Sequence, residues 1–194
     1  MNKTIRKLGR RVKAWYYRRK LNLKDVDKSV YFGGHSKISP DIIVGHHVYF
    51  GPGCNIYPNV EVGDFTLFAN NISIIGGDHR YDVVGLPVGL TGRDVIKKTL
   101  IGRDCWIGAH SIIKCGVTVA DGCIVAAGAV VTKDTEPYGI YAGVPAIRIK
   151  ERFSSEEDMK KHIEMISKIS FEEADALSLI NGKLIDSKAI DIVK

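Results

Sequence analysis

Stepping by six from Phe32, the chain reads Phe32, Ile38, Val44, Phe50, Ile56, Val62, Phe68 and Ile74. The register resumes at Val95 with Ile101, Ile107, Ile113, Val119, Val125 and Val131. Every one of these positions is Val, Ile or Phe, in a chain whose overall hydrophobic fraction is 45%. Four residues after each start stands a small or β-branched residue, including Ser36, Val48, Cys54, Val60, Thr66, Cys105, Ser111, Val117, Cys123 and Ala129. A period of six fits neither the ~3.6 of a helix nor the ~2 of a simple strand. It specifies short strands separated by sharp corners, with three hexads closing one triangular coil. Stacked at the ~4.8 Å spacing of a β-sheet, such coils place Ile107 beneath Val125. Each coil buries its apolar positions only against its neighbours, so stability is close to a nearest-neighbour sum.

Two stretches leave the register. Residues 80–94 hold three glycines and a proline and are expected to loop out of the prism. After Thr135 the pattern dissolves into Glu136-Pro137-Tyr138-Gly139. From Ser154 the chain reads as helix, with Ser154 and Glu157 as a capping box and Met159, Ile163, Ile166 and Ile169 as its apolar stripe. A second short helix is expected from Phe171 to Leu179, stopped by Asn181-Gly182. The organisation is thus a basic segment over 1–25, a prism over 26–147, and a helical extension over 148–194.

Charge is concentrated at one end. The first twenty residues hold nine Lys or Arg and no acid, whereas the remainder has nineteen basic and twenty-two acidic residues. The net charge of +6 therefore describes a short segment and gives no reason to expect a nucleic-acid surface. Within that segment Ile5, Leu8, Val12, Trp15 and Tyr16 follow helical spacing among the cations. Such a helix suits an anionic membrane surface or packing across an oligomer. No apolar run reaches the ~20 residues of a membrane span, and the N-terminus lacks a secretory cleavage pattern, so a cytoplasmic protein, peripheral at most, is expected.

Cys54, Cys105 and Cys123 take the small inward slot and read as buried thiols, whereas Cys115, at another hexad position, reads as more exposed. His35, His46, His47, His110 and His162 read as surface imidazoles. His79 differs, because flexible glycines in Gly76-Gly77-Asp78-His79 deliver it to the base of the loop, where a substrate can be met.

Cys105-Trp106-Ile107-Gly108, the run Val125 to Val131 followed by Thr132-Lys133-Asp134, and Ala142-Gly143-Val144-Pro145-Ala146 together resemble the hexapeptide-repeat acetyltransferases. The likeness spans roughly residues 30–152 and is closest in pattern to the sugar, surface-polysaccharide and xenobiotic branches. The resemblance implies a mainly β fold, a left-handed parallel β-helix, acting as a homotrimer with sites between subunits. It implies an acetyl-CoA-dependent O-acetyltransferase with a saccharide acceptor, no metal, and His79 as general base. Asp78, Trp106 and the Ala109 amide would neighbour the acceptor and the oxyanion. Gly108, Ala126, Ala127 and Gly128 would line the pantetheine track, with Thr132 and Lys133 following it. Lys133, Arg148, Lys150 and Arg152 would face the phosphates of coenzyme A. Ile147 stands where sugar acetyltransferases often carry a phosphate-binding Arg, and Gly51 falls near the early Asn that galactoside enzymes use for their acceptor. A base in the neutral imidazole form makes activity fall toward acid pH. Alternative readings are a xenobiotic acetyltransferase, a γ-class carbonic anhydrase-like zinc enzyme, and a non-catalytic scaffold.

Overall fold

The computed structural model describes residues 3–169. A helix, α1 (Lys3–Lys20), is followed by coils of three short strands each. The first coil is β1 (Asp25–Val26), β2 (Tyr31–Phe32) and β3 (Lys37–Ile38). The second is β4 (Ile43–Val44), β5 (Tyr49–Phe50) and β6 (Asn55–Ile56), and the third β7 (Val60–Val62), β8 (Leu67–Phe68) and β9 (Ser73–Ile75). After the loop come β10 (Thr99–Ile101), β11 (Trp106–Ile107) and β12 (Ile112–Lys114). The last complete coil is β13 (Thr118–Val119), β14 (Ile124–Val125) and β15 (Val130–Val131). Then β16 (Gly139–Ala142) and β17 (Ile147–Glu151) close the stack, and α2 (Glu156–Lys168) follows.

Every third strand pairs in parallel with the one a coil away, giving three flat faces. Face 1 is β1-β4-β7-β10-β13, face 2 runs from β2 through β14 to β16 and β17, and face 3 is β3-β6-β9-β12-β15. The chain is a left-handed parallel β-helix, as expected. The hexad positions point inward and form one core: Phe68, Ile74, Ile107, Ile113, Val119 and Val125 are fully buried. Within it Phe32, Phe50 and Phe68 stack ring over ring at centroid spacings of 5.6 and 4.8 Å. Burying each such side chain stabilises the fold by about 1.5–3 kcal/mol.

Several expectations are corrected. Val95 is 80% exposed and outside the prism; the register resumes only at Thr99, so the excursion runs from residue 76 to 98. Cys115 is buried, at 8% exposure, because Gly76 of the coil below leaves room for it against Thr99. The chain past Thr135 remains in the sheet: β16 continues face 2 in parallel with β14, and β17 turns back on it antiparallel. The extension from 148 therefore starts as strand. The cap of α2 is Ser155, whose hydroxyl accepts from the Asp158 amide at 3.1 Å, one residue later than the Ser154–Glu157 box. The helix expected near Phe171–Leu179 lies outside the described residues.

Both helices are fixed at particular points. α1 lies on the first coil through Ala14 and Tyr17, joined by Leu21 just past its end, with Tyr17 5.7 Å from the Phe32 ring. It thereby covers the open end of the core, as a terminal cap of a stacked-repeat fold must. α2 has no fully buried residue. His162 Nε2 stands 2.8 Å from Asp104 Oδ2, the same oxygen that accepts from Arg152 Nη1 at 2.7 Å, and the Phe153 ring packs 4.8 Å from the His162 ring.

Candidate active site

The loop between β9 and β10 leaves the edge where face 3 turns into face 1. Its two limbs run antiparallel: His79 bridges Arg93, the Asp94 amide donates to Asp78 O at 2.9 Å, and the Arg80 amide donates to Gly92 O at 3.1 Å. Farther out, a short 3₁₀ turn (Val88–Leu90) is closed by the Thr91 hydroxyl, which donates to Val88 O at 2.8 Å. Gly77, at φ +67°, makes the bend at the base; a Cβ there would stand 2.3 Å from Ile96 Cγ1. His79 is thus presented on an arm whose backbone is held by paired limbs. Its imidazole is exposed and has no hydrogen-bond partner among the described residues. Asp78 beside it is also exposed.

Trp106, Gly108, Ala109, Ala126, Ala127 and Gly128 lie elsewhere. Trp106 projects from the outer surface of face 2 and is 53% exposed. The others form the edge between faces 2 and 3. At Gly108 a Cβ would come 2.5 Å from the Ala127 amide nitrogen, so only glycine allows the coils to stack this closely here. Aspartate side chains accept from particular backbone amides along two of the edges. On the edge between faces 1 and 2, His46 N and Arg103 N donate to Asp64 Oδ1 and Asp121 Oδ1, each at 2.7 Å. On the edge between faces 3 and 1, Asn59 N donates to Asp41 Oδ2, and Thr118 N, where β13 begins face 1, donates to Asp134 Oδ1. On the edge between faces 2 and 3, the Ala109 and Ala127 amides donate to no acceptor among the described residues. Small side chains and unclaimed N–H groups make this edge a place where a narrow carbonyl-bearing chain can lie against backbone.

The structure does not bring all the expected residues together. Within one chain His79 is separated from Ala109 and Ala126–Gly128 by the width of face 3. Thr132 and Lys133 stand at the edge between faces 3 and 1, so they do not continue the Ala126–Gly128 edge. Arg152 is committed to Asp104 and to Gly122 O, 3.1 Å away. Arg148 pairs with Glu151 at 2.5 Å. Lys133 and Lys150 are the exposed, unpaired cations of the expected set among the described residues.

Sequence reasoning missed a column on the outside of face 2. Tyr31, Tyr49, Leu67, Trp106, Ile124 and Ile140 are in register, one per coil, each beside an inward core residue. The corresponding positions on face 1 are Asp25, Ile43, Glu61, Leu100 and Thr118, and on face 3 Lys37, Asn55, Ser73, Ile112 and Val130. Only face 2 is aromatic or aliphatic throughout. The signal was present as an eighteen-residue spacing from Tyr31 to Tyr49 to Leu67, and from Trp106 to Ile124.

These features define a hexapeptide-repeat β-helix protein, and residues 98–133 match the family model described as the hexapeptide repeat of succinyl-transferase. Part of the chain is similar in sequence to acetyltransferases built on this repeat. Over 58 residues it is 50% identical to a chloramphenicol acetyltransferase of Agrobacterium fabrum, covering 30% of this chain and 28% of that one. Over 51 residues it is 47% identical to the galactoside O-acetyltransferase of Escherichia coli K12, covering 26% of this chain and 25% of that one. The matched stretches span less than a third of either curated relative. A solved hexapeptide-repeat acetyltransferase from Vibrio cholerae, complexed with acetyl coenzyme A, superposes with a TM-score of 0.56 at 20% identity. That match covers 75% of this chain and 88% of the other, and at this identity it is a likeness of fold.

Proposed function

We propose that this protein is an acetyl-CoA-dependent O-acetyltransferase acting on a saccharide hydroxyl in the cytoplasm, as a homotrimer whose sites form between subunits. The observation that carries the reading is the separation of its parts. His79 projects at one edge of the prism, while the unclaimed Ala109 amide and Trp106 stand at another edge and face. Two copies side by side bring the arm of one against face 2 of the next, where the apolar column gives it a surface. Acetyl-CoA then lies along the edge at Gly108, Ala126, Ala127 and Gly128, with Lys150 as a cation for its phosphates and Lys133, on the same edge as His79, reaching it from the neighbouring copy.

The reaction follows from these positions. The His79 imidazole takes the proton from the acceptor hydroxyl as that oxygen attacks the thioester carbonyl. The negative charge on the tetrahedral oxygen is met by the Ala109 N–H, a donor already fixed by the stacked coils. Collapse breaks the carbon–sulfur bond, and the departing thiolate takes the proton from the imidazolium. The products are the acetyl ester and coenzyme A, and the base is restored.

The test is acceptor-dependent coenzyme A release across sugars, oligosaccharides of surface polymers and antibiotics. For the acceptor that turns over, His79→Ala is expected to lower kcat by about 10²–10⁴. Full turnover by His79→Ala overturns the assignment of the base, and a monomer by light scattering overturns the shared site. An antibiotic hydroxyl is the second reading, favoured by the identity to chloramphenicol acetyltransferase; acceptance of antibiotics with refusal of every sugar selects it.

A further inference from the structure

The end helix presents to solvent a face whose composition fits a specific kind of surface. At ~100° per residue, Leu8, Val12 and Trp15 share one side of α1, with Tyr16 at its border. Ala14 and Tyr17, which with Leu21 just past the helix end hold α1 to the first coil, share the opposite side. The outer stripe is consequently bare: Leu8 is 63% exposed, Val12 and Trp15 56%, and Tyr16 49%. The polar residues around it are cations. Arg11, Arg19 and Lys20 are exposed, with the Arg19 guanidinium 5.7 Å above the Trp15 ring and the Lys20 ammonium 5.6 Å above the Tyr16 ring. On the inner side Lys13 donates to Gly33 O, Arg18 donates to Lys28 O at 3.1 Å, and Arg10 lies 5.3 Å over the Tyr31 ring. These contacts fix which way the stripe faces.

We propose that this outer face of α1 docks the protein on an anionic lipid surface, with the helix in the plane of the headgroups. Charge selects the occupant. The first twenty residues carry nine cations and no acid, so the same face of a second copy would meet it with like charge. An anionic bilayer offers charge for Arg11, Arg19 and Lys20, and a shallow apolar layer for Leu8, Val12 and Trp15. The aromatic rings beneath their own cations suit the headgroup depth, where a ring needs an apolar body and a polar border. No helix among the described residues is long and apolar enough to cross a membrane, so the contact is peripheral. Because α1 caps the first coil, binding sets the prism end-on to the bilayer, with the arm bearing His79 held three coils away. The proposal is independent of the acceptor and of the catalytic reading.

The experiment is co-sedimentation of the full chain with vesicles of phosphatidylcholine alone and of equal parts phosphatidylcholine and phosphatidylglycerol. The wild type is expected to bind only the anionic vesicles, and to be released by raising salt to about 0.5 M, where the Debye length is short. The combined L8S, V12S and W15S variant keeps every cation and the packed face; it is expected to bind roughly tenfold more weakly or less. Unchanged far-ultraviolet circular dichroism and melting temperature establish that this variant is folded. Failure of the wild type to bind anionic vesicles at low salt overturns the proposal. So does equal binding by the serine variant, or a stripe-dependent change in oligomeric mass without lipid, which would assign the face to a second copy.

Discussion

Two hydroxyls in the same kind of inward slot behave oppositely, and the difference is measurable. Thr66 Oγ1 donates to Gly102 O at 2.7 Å and accepts from the Cys105 amide at 3.1 Å, so it fills the polar needs of a corner where coils join. Ser111 Oγ is fully buried and has no hydrogen-bond partner among the described residues. Removing a satisfied buried hydroxyl costs about 1 kcal/mol or more, whereas removing an unsatisfied one removes its desolvation penalty. Thr66→Val is expected to lower the melting temperature and Ser111→Ala to hold or raise it; calorimetry of the two variants decides. The cysteines follow the same logic of burial. Desolvation pushes the Cys54 thiol up to about 11 and Cys105 up to about 12, and also raises Cys115 and Cys123. As the thiolate is the reactive form, all four are expected to resist iodoacetamide at pH 7 in the folded protein and to react promptly in denaturant. Fast labelling of Cys115 in the native protein would contradict its placement beneath the loop.

At the scale of elements, the helices show what a six-residue pattern reveals and what it hides. The strands were legible because inward positions repeat without exception from Ile101 to Val131, and the core is built from those residues. Val95 misled because it fits the step by composition, while the chain was still outside the prism. β16 and β17 escaped notice because Gly139–Ala142 pairs with β14 through backbone without keeping the hexad spacing. In α1 the apolar stripe was legible but its use was not: the docked side is built from Ala14 and Tyr17 among cations whose long stems cover the coil. For α2 the attachment rests on residues forty or more positions apart in sequence, Asp104 with Arg152 and His162. Asp104→Ala removes both contacts at once. Hydrogen exchange over residues 156–168 is expected to speed up by about tenfold or more, with the prism strands unchanged. Unaltered exchange would mean that other contacts hold the helix.

Across the whole molecule, the candidate site was legible as a set of residues and illegible as an arrangement. Asp78, His79, Trp106, Ala109 and Lys133 each stand at the surface or an edge, yet their separation around a triangular prism appears only once the faces are assigned. The loop sits between coils without disturbing their pairing: Val44 pairs with Val62 across one coil, and Val62 with Ile101 across the excursion, in the same parallel register. Replacing residues 78–94 by a short glycine linker is therefore expected to preserve the strand circular dichroism while abolishing acetyl transfer. Collapse of the folded signal would show that the arm is part of the scaffold. If the fold survives, the excursion acts as an exchangeable cassette plugged into a rod of uniform bore. Descendants of such a chain are free to lengthen, shorten or rewrite that insert in search of new acceptors, while the coils on either side go on recognising only each other.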